Sequence, residues 1–502
     1  MDLKKKGALG LKWQLLSIIG QAVISLVYFM YLARVLSKED FGVAAIVMAF
    51  ISILQIFTDF GFGAAIIQQE KNDKAHISFA FYSTLGVSVF LYLLLWGFSG
   101  VIVDFYDNSF PEIVLLVVGL NLIFRAVGVI SKALIIRNLE LKSMTIANVV
   151  SLFVGNIVVG LLLAYNGYGY WSIIFAFLVQ SFLFAAILFY YAPHSIKFHY
   201  SRSSAKDILM YGSGLVLVRF LNGFTNQADK FIGGKMLGMT AIGLYERIQY
   251  VAFLPKQYIG TAVDSLLFSM MSRLQTEEEK LRTFFSNSIV TLVILFTYIA
   301  ITIGIFADSF ILLLLGDKWL DGVPILQLFS LLIFFQAFAR FSDTLVRATN
   351  TMIASSKVKL VFCIAMIVFV YLGAKYGISG LVIGVAIANL IHSVLMFNLS
   401  LSIIKLKWLS FLKKLLPVIK IGLLFFVKSI LLKLLLGEVL SPFFLLAITG
   451  ITDVLVALLI IFVIPGALGK ELFVFIFSIV EDMGLMKPTF LDKIKSRLKY
   501  LA

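Results

Sequence analysis

Four basic side chains, Arg125, Arg219, Lys256 and Arg340, interrupt long hydrophobic runs. Charge inside hydrocarbon is costly and is kept where it lines a wet path, meets a ligand or finds an opposite charge. Arginine's planar fork donates two parallel hydrogen bonds, which suits a phosphate or diphosphate. Four cations on different helices would together make a cationic cavity for an anionic substrate. Polar residues accompany them at helical spacing: Gln21 and Ser25 in the first run, Gln55 in the second, Asn222 and Asn226 after Arg219. Asp59 and Asp229 are the carboxylates placed to take up a proton or cation. The plainer alternative for each charge is a structural pair, such as Arg340 with Asp343 one helical turn away.

The elements that must hold these groups are membrane helices. Of 502 residues, 61% are hydrophobic and only 14% charged, and the mean hydropathy is +1.02. A soluble globule does not have so little polar surface. About 20 apolar residues cross the hydrocarbon core as a helix, and by that criterion the sequence holds fourteen spans. The first two form a hairpin, about 10–34 and 42–68, joined by the turn LARVLSKEDFG. Gln14, Ser17, Gln21 and Ser25 share one face of the first; Ser52, Gln55 and Asp59 share one face of the second. Span seven, about 207–235, carries the stripe Arg219, Asn222, Asn226 and Asp229, and span eight, about 241–271, carries Lys256.

Several function classes drop out. The net charge of +15 would suit nucleic acid, but the basic residues cluster between apolar runs, a pattern of membrane orientation. One cysteine, Cys363 in an apolar run, leaves no intramolecular disulfide and reads as an inert buried thiol. His194 and His199 lack a cysteine or clear acidic companion, so no metal is expected, and without a GxxxxGK[ST] loop neither is ATP hydrolysis or any other cofactor. Lys132, Arg247, Lys420 and Lys428 fall close enough to span ends to snorkel to the interface. The segment KELFVFIFSIVEDMG after Pro465 is short for a span and suits an interfacial helix.

The hairpin recurs. Leu36 and Gly42 match Leu237 and Gly243, an offset of 201 residues that also sets Gln55 against Lys256. Asn121, Arg125, Gly128 and Lys132 match Gln336, Arg340, Asp343 and Arg347 at an offset of 215. A repeat of this length predicts an all-α polytopic membrane protein of two pseudo-symmetric six-helix lobes around a central site. The lobes are 1–200 and 201–405, and 406–502 adds two further transmembrane helices and a tail. With the N-terminus inside, twenty-seven Lys and Arg fall in inside segments against six in outside loops, which puts both termini in the cytoplasm.

The stretch LARVLSKEDFGVAAI, followed by IFTDFGFGAAIIQQE, resembles the polysaccharide-export branch of the MOP transporter superfamily. The resemblance implies a V of two six-helix lobes in the bacterial cytoplasmic (inner) membrane. It also implies a flippase that moves undecaprenyl-pyrophosphate-linked oligosaccharide to the outer leaflet by alternating access. Membrane lipids, and the polymerase and chain-length proteins of the same pathway, are the partners it implies; nucleic acid is not among them. Relatives that flip the peptidoglycan precursor carry arginines on helix 1, where this chain has Gln14, Ser17 and Gln21. The competing readings are a small-molecule exporter of the related MATE branch and a membrane polysaccharide polymerase or glycosyltransferase. Short outside loops, only a turn around Glu39 and Asp40, count against catalysis.

Overall fold

An apolar chain in lipid must satisfy its peptide groups internally, which a helix does without partners. The computed structural model describes residues 3–58, 61–68, 74–199, 201 and 216–463, and no strand occurs among them. The first seven helices are α1 (Leu3–Val35), α2 (Lys38–Thr58), α3 (Phe62–Gln68), α4 (Lys74–Phe105), α5 (Glu112–Arg137), α6 (Leu141–Tyr165) and α7 (Tyr170–Tyr191). There follow α8 (Val216–Thr225), α9 (Ala228–Leu237), α10 (Met239–Arg273), α11 (Glu278–Ile305) and α12 (Ala307–Leu314). A 3-10 turn (Asp317–Gly322) leads into α13 (Val323–Ala348), α14 (Met352–Ala374) and α15 (Gly377–Ile403). The last are α16 (Trp408–Lys414), α17 (Leu416–Leu436) and α18 (Pro442–Val463).

Among the described residues, eleven segments are long and apolar enough to cross a membrane, against fourteen expected. Of the other three expected spans, residues 207–215 of span seven lie outside the described residues, and the described parts are helical but depart from a plain apolar helix. Span seven is broken into α8 and α9 at Asn226 and Gln227. Span eight is α10, 35 residues long, and its polar load includes Arg247, Lys256 and Asp264. Span fourteen is α18, whose described apolar part is Pro442–Val456. The second span is not continuous either: α2 stops at Thr58, and Gly61, with φ +82°, precedes α3. The expected interfacial helix after Pro465 lies outside the described residues.

The chain forms two compact units. Unit 1 comprises 1–250, 314–322 and 359–388; unit 2 comprises 251–313, 323–358 and 389–502. In unit 1, α5 is a central helix, with Val114, Leu115, Val118, Leu122, Ala126 and Ile130 fully buried. The turn before α2 is a reciprocal cap. The Ser37 hydroxyl accepts the Asp40 amide at 3.1 Å, and the Asp40 carboxylate accepts the Ser37 amide at 2.9 Å. The carbonyls orphaned at the end of α1 are claimed by the 3-10 turn. Trp319, fully buried, donates its indole N–H to the Ala33 carbonyl at 2.8 Å, and Lys318 reaches the carbonyls of Arg34 and Leu36. Lys38 pairs with Asp321 at 2.5 Å.

The two turns that the repeat matches meet each other here. A Cβ on Gly42 would lie 1.9 Å from the Met239 carbonyl oxygen, and one on Gly243 would lie 1.7 Å from the Lys38 carbonyl oxygen and 2.8 Å from the Gly42 nitrogen. Only glycine fits at either position. Arg247 does not snorkel: its guanidinium lies 4.3 Å from the Phe41 ring centroid and 5.1 Å from that of Phe29, with Glu246 at 2.5 Å.

Unit 2 packs α11 against α13 through fully buried Phe285, Phe296, Phe329 and Phe341. Cys363, in unit 1, is buried as expected. Lys428 on α17 also departs from the snorkelling expectation. Its ammonium pairs with Asp453 on α18, whose side chain is 4% exposed, and the Tyr298 hydroxyl of α11 donates to the same carboxylate at 2.8 Å.

Candidate functional site

Unit 1 carries a polar network across three otherwise apolar helices. Gln55 on α2 donates from Nε2 to Asn121 Oδ1 on α5 at 2.6 Å, and Asn121 donates from Nδ2 to Ser181 Oγ on α7. One turn along α5, Arg125 donates from Nη1 to Gln55 Oε1 at 3.2 Å. Asn121 is buried whereas Arg125 is exposed, so the amides anchor the network and the guanidinium is its accessible end.

Unit 2 repeats the pattern at the positions the offsets predict. Lys256 on α10 donates from Nζ to Gln336 Oε1 on α13, and Gln336 donates from Nε2 to Asn389 Oδ1 on α15 at 3.2 Å. Arg340, one turn beyond Gln336, donates from Nη1 to the Lys256 carbonyl at 3.3 Å. Gln55 and Lys256, Asn121 and Gln336, and Arg125 and Arg340 therefore stand in the same relation within each unit. A polar group at membrane depth must find a partner, and here the partner set has been kept through the repeat while individual residues changed.

The two networks differ in what lies beside the arginine. In unit 2, Arg340 Nε donates to Asp264 Oδ2 at 2.7 Å, with side-chain exposures of 23% and 18%. Thr344 donates its hydroxyl to Asp264 Oδ1 at 3.0 Å. Gly260 brings the α10 backbone against the guanidinium, since a Cβ there would lie 2.7 Å from Arg340 Cζ. Asp343, the neighbour suggested by the sequence, lies 3.4 Å from Arg347. In unit 1, a cavity of about 460 Å³ opens beside Arg125 and is also lined by Gly63, Gly128, Lys132, Gln180 and Ser181. Lys132 thus faces the same space as Arg125 rather than serving only as an interfacial anchor.

The other expected site residues are placed as follows. Gln21 donates to Ser17 within α1 at 2.8 Å, and Ser25 is half-buried on the same helix. Arg219 is exposed on α8, Asn222 is half-buried there, and Asn226 is exposed in the break after it. Asp229 is 2% exposed and accepts from Tyr245 Oη at 2.5 Å, Gln249 Nε2 at 3.0 Å and the Lys230 amide at 2.9 Å, three uncharged donors. Asp59 lies outside the described residues. Among the described residues, no group of three or more His, Cys, Asp or Glu could hold a metal ion. Sequence reasoning missed Asp264, the acid closest to the expected cations. Its signal was available, because a carboxylate inside a span calls for a partner as much as a cation does.

The model of the family described as polysaccharide biosynthesis protein matches residues 31–324. Among curated proteins, the lipopolysaccharide biosynthesis protein WzxC of Escherichia coli is 21% identical over 406 residues, covering 79% of this chain and 81% of that one. The teichuronic acid biosynthesis protein TuaB of Bacillus subtilis is 23% identical over 330 residues, covering 64% and 67%. Among solved structures, the lipid II flippase MurJ in an inward closed conformation superposes with a TM-score of 0.65 at 16% identity, covering 95% of this chain and 99% of that one. An inward-facing MATE multidrug transporter of the MOP superfamily gives 0.64 at 15% identity, covering 77% and 94%. The fold is that of these membrane transporters.

Proposed function

Because the chain belongs to the polysaccharide biosynthesis protein family, we propose that it carries lipid-linked oligosaccharide repeat units across the bacterial cytoplasmic membrane. The lipid is undecaprenyl pyrophosphate, and the carrier works by alternating access. The chain is a multi-pass membrane transporter and not an enzyme. Relatives support this reading: one is named a succinoglycan biosynthesis transport protein, and others are named for lipopolysaccharide and teichuronic acid biosynthesis.

The observation that carries the proposal is the doubled polar network, Gln55–Asn121–Arg125 and Lys256–Gln336–Arg340, inside apolar helices. A lipid carrier must offer polar partners to a headgroup while its surroundings stay apolar, and a diphosphate needs cations among them. The matched networks also support two related lobes, 1–200 and 201–405, with 406–502 added to them. Deleting the gene should leave lipid-linked repeat units to accumulate on the cytoplasmic side and abolish the surface polymer, and the chain supplied in trans should restore it. Unchanged surface polymer, with no such accumulation, would exclude the reading.

The orientation we propose has both termini cytoplasmic, on the bias of Lys and Arg toward inside segments. Reporter fusions after Lys142 and Lys414 should read cytoplasmic, and fusions at Asp107 and Asp317 external. The reverse pattern would overturn it.

A further inference from the structure

We propose that the 3-10 turn Asp317–Gly322 is a releasable bolt on the α1–α2 turn, docked while this end of the carrier is closed and undocked when it opens. The inference rests on the alternating-access reading for its role in transport, and on the structure for the bolt itself. Residues 314–322 group with unit 1, whereas the chain on either side, 251–313 and 323–358, belongs to unit 2. One buried side chain anchors the turn in unit 1. Trp319 is fully buried, lies 5.6 Å from Phe41 between ring centroids, and donates its indole N–H to the Ala33 carbonyl at 2.8 Å. The ammonium groups of Lys38 and Lys318 lie 5.9 and 5.8 Å from the same ring. At the far end of the turn, Gly322 lies against Ile248 and Leu244 of α10, with no room for a Cβ. Phe41 and Leu244 are the chain neighbours of Gly42 and Gly243, so the turn touches both repeat-related hairpins where they meet.

A permanent brace belongs at membrane depth, where water cannot replace a lost partner. This turn sits at span ends instead: one apolar segment stops at Val35 and the next starts at Lys38. The carbonyls it claims, of Ala33, Arg34 and Leu36, stand at the end of α1, where water satisfies them as well when the turn leaves. Its rim contact is the Lys38–Asp321 pair, in which Asp321 is 57% exposed, and an exposed pair contributes little. Docked and undocked turns therefore both leave these polar groups satisfied, and the two states differ mainly in whether the indole is buried. That is the balance a two-state element needs. This end opens only if the hairpins part at their glycine contacts, and the turn that touches both must then let go of one.

The test uses the full chain with its one cysteine removed, Cys363→Ala, and with Lys38→Cys and Asp321→Cys introduced. A bis-methanethiosulfonate reagent long enough to span the former ion pair ties the turn down, and a reductant releases it. In proteoliposomes bearing an undecaprenyl-pyrophosphate-linked oligosaccharide, the untreated protein should flip the lipid. The cross-linked protein should not, and reduction should restore flipping. A turn that serves only as a brace predicts unchanged flipping after cross-linking, and that result would overturn the bolt. So would failure of the two cysteines to cross-link in folded protein, which would place the turn elsewhere. Thiol labelling of Leu36→Cys, in the same Cys363→Ala chain in detergent, reads docking without any transport. Labelling should be slow with the turn intact and about tenfold faster or more with Trp319→Ala, the scale set by losing a buried tryptophan. Trp319→Phe, which keeps a ring and loses the hydrogen bond, should fall between. Unchanged labelling in folded Trp319→Ala protein would also overturn the proposal, and should that variant not fold, cross-linking decides alone. Untreated protein that flips nothing removes the flippase reading only, and labelling then decides the bolt.

Discussion

Gly243→Ala is expected to abolish accumulation of the folded protein, an outsized effect for a single added methyl group. The new Cβ would lie 1.7 Å from the Lys38 carbonyl oxygen and 2.8 Å from the Gly42 nitrogen, backbone on both counts. Side chains can turn away from an intruder, but a backbone carbonyl inside a capped helix start cannot. Overpacking in cores ordinarily costs about 1–3 kcal/mol, and a clash that must move two helix starts belongs at or above the top of that range. Gly42→Ala, facing the Met239 carbonyl oxygen at 1.9 Å, should behave alike. Gly86 on α4 and Gly100 near its end have nothing within 4 Å of a Cβ, so alanine there should be neutral or slightly stabilising. Membrane abundance and thermal melting in detergent would compare the four variants. Normal melting of Gly243→Ala would show that the two turns do not pack as described.

That pair also marks how far the sequence could be read. Gly42 and Gly243 were recognisable as equivalents from their spacing to Leu36 and Leu237, but nothing in the letters says that equivalent turns touch each other. Hydropathy found the spans because lipid demands long apolar helices, and it missed the turn at Gly61 and the break at Asn226 and Gln227 because a window averages over so short a break. The matched networks were half legible. Gln55 with Lys256 and Arg125 with Arg340 followed from the offsets, whereas Ser181 and Asn389 sit on helices whose alignment no charge pattern fixes. Asp264 escaped because the stripe of its helix was read for cations alone. Lys428 was misjudged because distance from a span end tells whether a lysine can reach water, not whether a carboxylate lies nearer.

Lys428 leads to the second large effect. Removing one member of its pair with Asp453 leaves the other charge buried in an apolar setting. Breaking such a pair costs about 3–5 kcal/mol, while replacing both members by apolar residues is often neutral or better. Asp453→Leu and Lys428→Met should each sharply lower membrane abundance and melting temperature, and the double variant should recover most of the loss. Tyr298, which donates to Asp453 at 2.8 Å, ties the carboxylate to α11. Tyr298→Phe should therefore cost only about 1 kcal/mol, one hydrogen bond. Single variants as stable as wild type would mean that the pair is not buried in the folded protein. A double variant no better than the singles would mean that these residues act elsewhere than on each other.

The central claim is that the chain moves a lipid-linked glycan and performs no chemistry on it, and reconstitution tests it most directly. Proteoliposomes would carry the purified chain and an undecaprenyl-pyrophosphate-linked oligosaccharide distributed over both leaflets, with an impermeant glycosidase added outside. In protein-free vesicles the inner-leaflet sugars stay protected. With the wild-type chain the protected fraction should drain away within the assay, and with Arg125→Gln it should persist. A protected fraction unchanged by folded wild-type protein would contradict the account. So would joined or cleaved sugar chains in vesicles to which no glycosidase had been added.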